Sequence, residues 1–203
     1  MVRGAGIWLA LLLSLIPSCR RLSAQASVQL SLGARYTSTM VHDSIVTPID
    51  VRPTLAPSLA VTAGTASEHG WTAEGTIDVS WSTLERHDQG GPTVGLGSLT
   101  TLAVVIGVRR ALAAGLAGRL AVGGLKYFPG ENTGIFRDGS GGVFPLGSAA
   151  VTYVPPLAFA RRRSLGIEAR YDVHAFITPA LRNRGFTSSQ PVHRLALALR
   201  GTP

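Results

Sequence analysis

The stretch Trp71-Thr-Ala-Glu-Gly-Thr-Ile-Asp-Val-Ser-Trp81 is the clearest indication of the fold of this chain. Its odd positions are apolar or small, while its even positions are all polar and include Glu74 and Asp78. This period of two is typical of a β-strand with one apolar face and one polar face. At roughly 3.3 Å per residue and a tilt of about 40°, the two tryptophans stand about 25 Å apart along a membrane normal. That distance matches the apolar band of a membrane-spanning β-barrel.

The same alternation returns along the rest of the chain and predicts eight strands in all. They are Val28–Thr37, Val51–Ala63, Trp71–Ser82, Val94–Arg109, Leu116–Phe128, Leu146–Val154, Leu165–Ile177 and Arg194–Arg200. An even number of antiparallel strands can close on itself and leave no free edge. The sequence therefore predicts an all-β fold, an eight-stranded antiparallel up-and-down transmembrane β-barrel that follows an N-terminal signal peptide. A register slip at Gly123-Gly124 would place Leu125 and Tyr127 on the lipid face.

The predicted connections alternate in length. The longer ones cover residues 38–50, 83–93, 129–145 and 178–191, and the shorter ones cover 64–70, 110–115 and 155–164. Outer-membrane barrels have long extracellular loops and short periplasmic turns. We therefore expect the longer set to face outward, with the N-terminus in the periplasm. Only residues 109–119, which are rich in Ala and Leu, have a locally helical composition.

The N-terminus has the features of a secretory signal peptide. Arg3 precedes an apolar run from Ile7 to Ile16, and Ala24-Gln25-Ala26 supplies an A-x-A cleavage site. The sequence thus predicts a signal peptide at residues 1–26 and a single barrel domain at residues 27–203. An uncleaved anchor is the alternative, although the run is shorter than the roughly 20 residues of a spanning helix. A second alternative is lipidation at Cys19, which ends a stretch that loosely resembles a lipobox.

Composition limits the chemistry available to the exported chain. Without the signal peptide it has no cysteine, so disulfides and thiolate metal sites are excluded. Loss of Arg3, Arg20 and Arg21 lowers the formal charge from +8 to +5. The remaining arginines are scattered and no nucleic-acid-binding motif accompanies them, so no nucleic-acid partner is expected. The histidines lack metal-ligand spacing and the glycine clusters lack the pattern of nucleotide-binding loops, so neither metal nor cofactor is predicted.

Charged side chains fall on the inward positions of the predicted strands. The predicted lumen charge network comprises Arg35, Arg52, Glu74, Asp78, Arg109, Arg119, Glu168, Arg170, Asp172, His174, Arg194 and Arg200. An eight-stranded barrel is just wide enough for side chains to fill it, and buried charges are costly unless paired. We therefore expect arginine–carboxylate pairs across the lumen. The predicted membrane-interface aromatics are Tyr36, Trp71, Trp81, Tyr153 and Tyr171.

The signal peptide, the eight alternating strands and the charged lumen together resemble the small outer-membrane β-barrels of the OmpA/OmpX type. The resemblance covers the whole mature chain and rests on pattern rather than on a short motif. It implies a monomeric barrel of the Gram-negative outer membrane with a structural, anchoring or surface-interaction role. Outer-membrane lipids and the barrel-assembly machinery are the partners that it implies.

Three alternatives remain open from the sequence. The barrel could be a narrow pore, or a soluble periplasmic β-sandwich or lipocalin-like carrier could show the same strand pattern. It could also be a lipid-modifying barrel enzyme resembling the lipid A deacylases. In that enzyme His174 would be the base, Asp172 its orienting acid, and Ser188 or Ser189 the nucleophile.

Overall fold

The computed structural model describes residues 26–43, 49–66, 70–131, 134–156 and 165–202. The predicted signal peptide and Cys19 lie outside the described residues, except that Ala26 is the first residue of a strand. Cleavage after Ala26 therefore stays a prediction.

The described residues form ten strands, one short α-helix and one 3-10 turn at Gly134–Phe136. The strands are β1 (Ala26–Thr37), β2 (Val41–Asp43), β3 (Ile49–Pro53), β4 (Ala56–Ala66), β5 (Trp71–Asp88), β6 (Val94–Ala113), β7 (Leu116–Pro129), β8 (Val143–Tyr153), β9 (Gly166–Phe176) and β10 (Gln190–Gly201). The helix, α1, spans Pro179–Asn183. Within this part of the chain, no helix is long and apolar enough to cross a membrane.

Eight of the described strands pair into a closed antiparallel ring. Its order is β5, β4, β1, β10, β9, β8, β7 and β6, and β6 pairs back onto β5 over fifteen registered residue pairs. Closure satisfies the backbone of every strand in the ring. The predicted eight-stranded up-and-down barrel is confirmed. β2 and β3 form a hairpin outside the ring that pairs with the far end of β5, from Leu84 to Asp88.

Large apolar side chains point outward from every strand of the ring. Each strand supplies an exposed example, namely Leu32, Val61, Ile77, Ile106, Leu120, Val151, Ile167 and Leu197. The inward positions carry the buried charges. This polarity is the reverse of that of a soluble protein, which buries apolar side chains and exposes charged ones. The soluble sandwich or carrier interpretation is therefore not supported.

The structure corrects the predicted second strand. Residues 51–63 form two strands, β3 and β4, separated by Thr54 and Leu55. The interruption lies between Pro53 and Pro57 and reverses the alternation of buried and exposed side chains. Val51, before it, is buried, whereas Leu55, an odd-numbered residue like Val51, is exposed. Arg52 is consequently exposed rather than directed into the lumen, and its Nε donates to His87 Nε2 at 3.3 Å. The prediction that Arg52 belongs to the lumen network is wrong.

Two predicted connections also differ from the structure. Residues 109–119 contain no helix, because β6 continues to Ala113 and β7 begins at Leu116. Gly115 has a φ of 77°, which glycine adopts at little cost in this tight turn. Residues 83–88 of the predicted 83–93 connection are strand, because β5 extends beyond Trp81 to Asp88. We call the end of the barrel with the turn at 114–115 the turn end, and the opposite end the loop end.

Candidate functional site

The inward residues of β9 change in character from the turn end to the loop end. They read Glu168, Arg170, Asp172, His174 and Phe176, and all five are buried. The other strands follow the same gradient, so the lumen has a charged half near the turn end and an apolar half near the loop end. The candidate site is this filled lumen.

A cluster of charges occupies the turn end of the lumen. Arg200 bridges two carboxylates, with Nη1 at 2.6 Å from Glu168 Oε2 and Nη2 at 2.9 Å from Glu74 Oε1. Arg119 lies 3.9 Å from both carboxylates, and Arg109 lies 3.6 Å from Glu74. Arg109 is the most exposed of these side chains, at 19%, so it marks the mouth of the barrel.

A second cluster lies at the middle of the lumen and is centred on Asp78. Arg35 donates to both oxygens of this carboxylate through Nη1 and Nη2, and its Nη2 lies 2.9 Å from Asp78 Oδ2. Arg170 donates to Asp78 from the opposite wall of the barrel. Asp172 lies 3.9 Å from both arginines. The four side chains are at most 7% exposed, so they are removed from solvent and depend on one another for charge compensation.

These ion pairs join strands that are not neighbours in the ring. Asp78 on β5 connects to Arg35 on β1, 43 residues away, and to Arg170 on β9, 92 residues away. Planar arginine forks match carboxylate geometry, which gives each crosslink a defined orientation. The predicted arginine–carboxylate network is therefore present in the lumen, and it ties the walls of the barrel together.

Arg194 and His174 were predicted as network members, and the structure separates them from the ion pairs. Arg194 is buried and donates from Nη2 to Thr101 Oγ1 at 3.0 Å. The Nε2 of His174 lies 2.8 Å from the Tyr127 hydroxyl, and its ring lies 5.9 Å from that of Phe144. His174 therefore lies in apolar surroundings. Its ladder partners on β8 and β10 are Leu146 and Val192.

Apolar side chains fill the loop end of the lumen, which the sequence analysis did not predict. We call this cluster the apolar plug; it contains Met40, Val41, Val51, Leu84, Leu99, Leu125, Tyr127, Ile135, Phe136, Phe144, Leu146, Phe176, Leu181 and Val192. The Tyr127 ring lies 5.7 Å from Phe144 and 5.5 Å from Phe176. Leu125 and Tyr127 face inward, so the register slip that would place them on the lipid face does not occur.

The loops that close the loop end are fastened to this plug. Thr178 caps the N-terminus of α1 by accepting from Leu181 N at 3.3 Å, and its hydroxyl donates to the Ile135 carbonyl at 2.6 Å. Asn183 donates to Asp138 Oδ2 at 3.0 Å. These contacts join α1 to the 3-10 turn. The sequence signal for the plug was the presence of large apolar residues, such as Ile135 and Phe136, inside predicted loops.

The five predicted interface aromatics all point outward and are 40 to 46% exposed. Trp71 and Tyr153 lie near the turn end, and Tyr36 and Trp81 lie toward the loop end. Tyr171 is at the midpoint of β9, with its hydroxyl 2.6 Å from His193 Nδ1. The Arg110 guanidinium stacks 5.1 Å from the centre of the Trp71 ring, a cation–π contact that the sequence analysis missed.

The residues of the enzyme alternative are not assembled. Ser188 and Ser189 are exposed, whereas His174 and Asp172 are buried in the lumen. The Nε2 atom of His174, which a catalytic base would use to accept the serine proton, is already hydrogen-bonded to the Tyr127 hydroxyl. Within the described ranges, no group of three or more His, Cys, Asp or Glu side chains is arranged to hold a metal ion.

Comparison with known proteins adds solved structures but no sequence family. No protein-family model matches the chain, and no curated protein sequence matches it significantly. Ail of Yersinia pestis, in complex with the heparin analogue sucrose octasulfate, is 9% identical with a TM-score of 0.47, covering 89% of this chain and 99% of Ail. The outer membrane protein Ail in a phospholipid bilayer nanodisc is 12% identical with a TM-score of 0.47, covering 87% and 99%. Neisserial surface protein A is 11% identical with a TM-score of 0.42, covering 88% and 97%.

Proposed function

We propose that this protein is a monomeric β-barrel of the bacterial outer membrane that acts as a structural, anchoring or surface-interaction protein and not as a channel. The observation that carries the proposal is the polarity of the closed ring. Exposed apolar side chains from all eight strands of the ring surround a lumen that contains buried charges and buried apolar side chains. Only helices and closed barrels satisfy all backbone polar groups in hydrocarbon.

The filled lumen supports a role without transport. Two charge clusters and the apolar plug lie in series along the barrel, and the side chains that form them are buried. A permeating ion would have to break the Asp78 and Glu74 pairs and then cross a layer of buried aromatic side chains at Tyr127. Neither step is compatible with rapid conduction.

The loop end supports an anchoring or surface-interaction role. Residues of β2, β3, the 3-10 turn and α1 pack in the plug, so the described part of this end of the barrel carries ordered elements beyond the ring strands. With the N-terminus in the periplasm, this end faces outward. Export by the signal peptide, insertion by the barrel-assembly machinery and contact with outer-membrane lipids complete the proposal.

Heat-modifiable gel migration tests the proposed membrane barrel. In unboiled detergent samples we expect the membrane-fraction protein to migrate as a compact species, and boiled samples to migrate at 21 kDa or less if the signal peptide is removed. A closed hydrogen-bonded ring resists detergent unfolding, whereas an open sheet has free edges. Recovery of the protein in the soluble periplasmic fraction, without a heat-dependent shift, would refute the proposal.

Planar-bilayer recording tests the closed lumen separately. We expect refolded protein to insert without stepwise current, because the plug and the ion pairs block the lumen along its length. The measurement is single-channel conductance, with a general porin as positive control for insertion and detection. Discrete, reproducible current steps from the pure protein would show that the lumen conducts.

A further inference from the structure

The charges buried in the lumen do not balance. Among the described residues, the buried arginines are Arg35, Arg119, Arg170, Arg194 and Arg200, and the buried carboxylates are Glu74, Asp78, Glu168 and Asp172. Five buried cations therefore face four buried anions, and the further arginine of the turn-end cluster, Arg109, is 19% exposed and reaches solvent at the mouth. A buried charge without a counter-charge is strongly unfavourable. The buried groups of the lumen therefore lack one negative charge for neutrality.

The surplus charge can be assigned to Arg194. Each of the other four buried arginines lies within 4.0 Å of a carboxylate oxygen, whereas no carboxylate of the described residues lies that close to Arg194. Asp172 faces Arg194 across the β9–β10 ladder, but its contacts within 4.0 Å are with Arg35 and Arg170. Arg194 is 1% exposed, so water outside the barrel does not compensate it. Its Nη2 is held by the Thr101 hydroxyl at 3.0 Å, which fixes the orientation of the guanidinium.

Two of the nitrogens of Arg194 are available to bind. Its Nε and Nη1 are buried, and in the part of the chain that the structure describes they have no hydrogen-bond acceptor. The Nδ1 of His174 is also buried and has no hydrogen-bond partner among the described residues. His174 lies beside Val192 on the ladder, one inward position from Arg194. When the Tyr127 hydroxyl donates to Nε2 of His174, the proton of the neutral ring is on Nδ1, which is then a donor.

We propose that Arg194 is the cationic ligand of a buried site for one small monovalent anion of the halide class, with His174 Nδ1 as a second donor. The site lies where the middle charge cluster meets the apolar plug. A single surplus positive charge calls for a single negative charge, and donors without acceptors suit a halide, which only accepts hydrogen bonds. Ordered water at Arg194 would satisfy the donors but would leave the charge uncompensated.

Chloride dependence of stability tests this site. At constant ionic strength, with gluconate replacing chloride, we expect the unfolding temperature of the refolded full-length barrel to rise by about 3–6 °C between about 1 and 300 mM chloride. Arg194→Met should abolish this response. Arg137→Met, which removes an exposed arginine of the loop that follows the 3-10 turn, is the matched control and should retain it. No chloride response in the wild type, or an equal response in Arg194→Met, would overturn the proposal.

Bromide provides a readout that needs no variant. Crystals of the wild-type barrel grown in sodium bromide should show an anomalous peak within about 3.5 Å of the Arg194 guanidinium nitrogens. A map with no such peak, or with peaks only on the outer surface, would overturn the proposal even if Arg194→Met failed to fold.

Discussion

Replacing Asp78 with alanine is expected to destabilise the folded barrel by about 3–5 kcal/mol, the cost of removing one partner from a buried ion pair. Asp78 is 2% exposed and is the shared partner of Arg35 and Arg170. Its removal leaves two guanidinium groups in the lumen with only Asp172, at 3.9 Å, to compensate them. The measurement is the urea dependence of the folded fraction, read from unboiled gels of protein refolded in detergent.

A control and a rescue make the Asp78 experiment specific. Asp88→Asn removes a carboxylate from a solvent-accessible pair with Arg86 at the loop end, and we expect its urea midpoint to match that of the wild type. Adding Arg170→Met to Asp78→Ala should recover part of the lost stability, because one uncompensated charge disappears. If Asp78→Ala unfolds at the wild-type midpoint, the ion pairs do not tie the walls together.

Placing arginine at Ile106 is expected to destabilise the barrel by about 2–4 kcal/mol in a lipid bilayer. Ile106 points outward from β6 and pairs with Gly75, which lies near the midpoint of the strand between Trp71 and Trp81. At that depth the new guanidinium would face hydrocarbon. On the surface of a soluble protein, the same substitution at a residue that is 68% exposed would change stability by no more than about 0.5 kcal/mol.

Leu55 supplies the matched control for Ile106. It is also 68% exposed, but it lies in the break between β3 and β4, just past the ladder pair of Arg35 with Ala56. Leu55→Arg is therefore expected to cost about 0–1 kcal/mol, the value found near the membrane interface. The measurement is the urea midpoint of each variant in phospholipid vesicles. Equal, small effects at Ile106 and Leu55 would contradict a membrane-embedded barrel.

Strands and their faces could be predicted because alternation is a local property of the chain. Trp71 to Trp81 has a period of two with charges on one side only, so its register cannot slip without burying apolar side chains among charges. The prediction was wrong at Arg52 for a reason that is also local. The interruption at Thr54 and Leu55 shifts the alternation, and a sequence pattern does not show on which side of a proline such a break occurs.

The pairing within the lumen could not be predicted, because each contact joins strands that are distant in sequence. Arg35, Arg170 and Arg194 are equivalent in the pattern, yet the first two share Asp78 and the third has only the Thr101 hydroxyl. Which arginine meets which carboxylate depends on the stagger of the strands around the ring. The same stagger places His174 against the aromatic rings of the apolar plug, one inward position from Arg194.

Side-chain direction in a strand follows from residue parity, so the alternation in the sequence was enough to predict a β-barrel with an apolar exterior and charged inward positions. The division of the interior into charge clusters toward the turn end and an apolar plug at the loop end depends on the tertiary structure. Residues such as Leu125 and Phe136 are apolar whether they face lipid, lumen or a loop. Their location is fixed by closure of the ring, which brings the eight strands together with the β2–β3 hairpin, the 3-10 turn and α1.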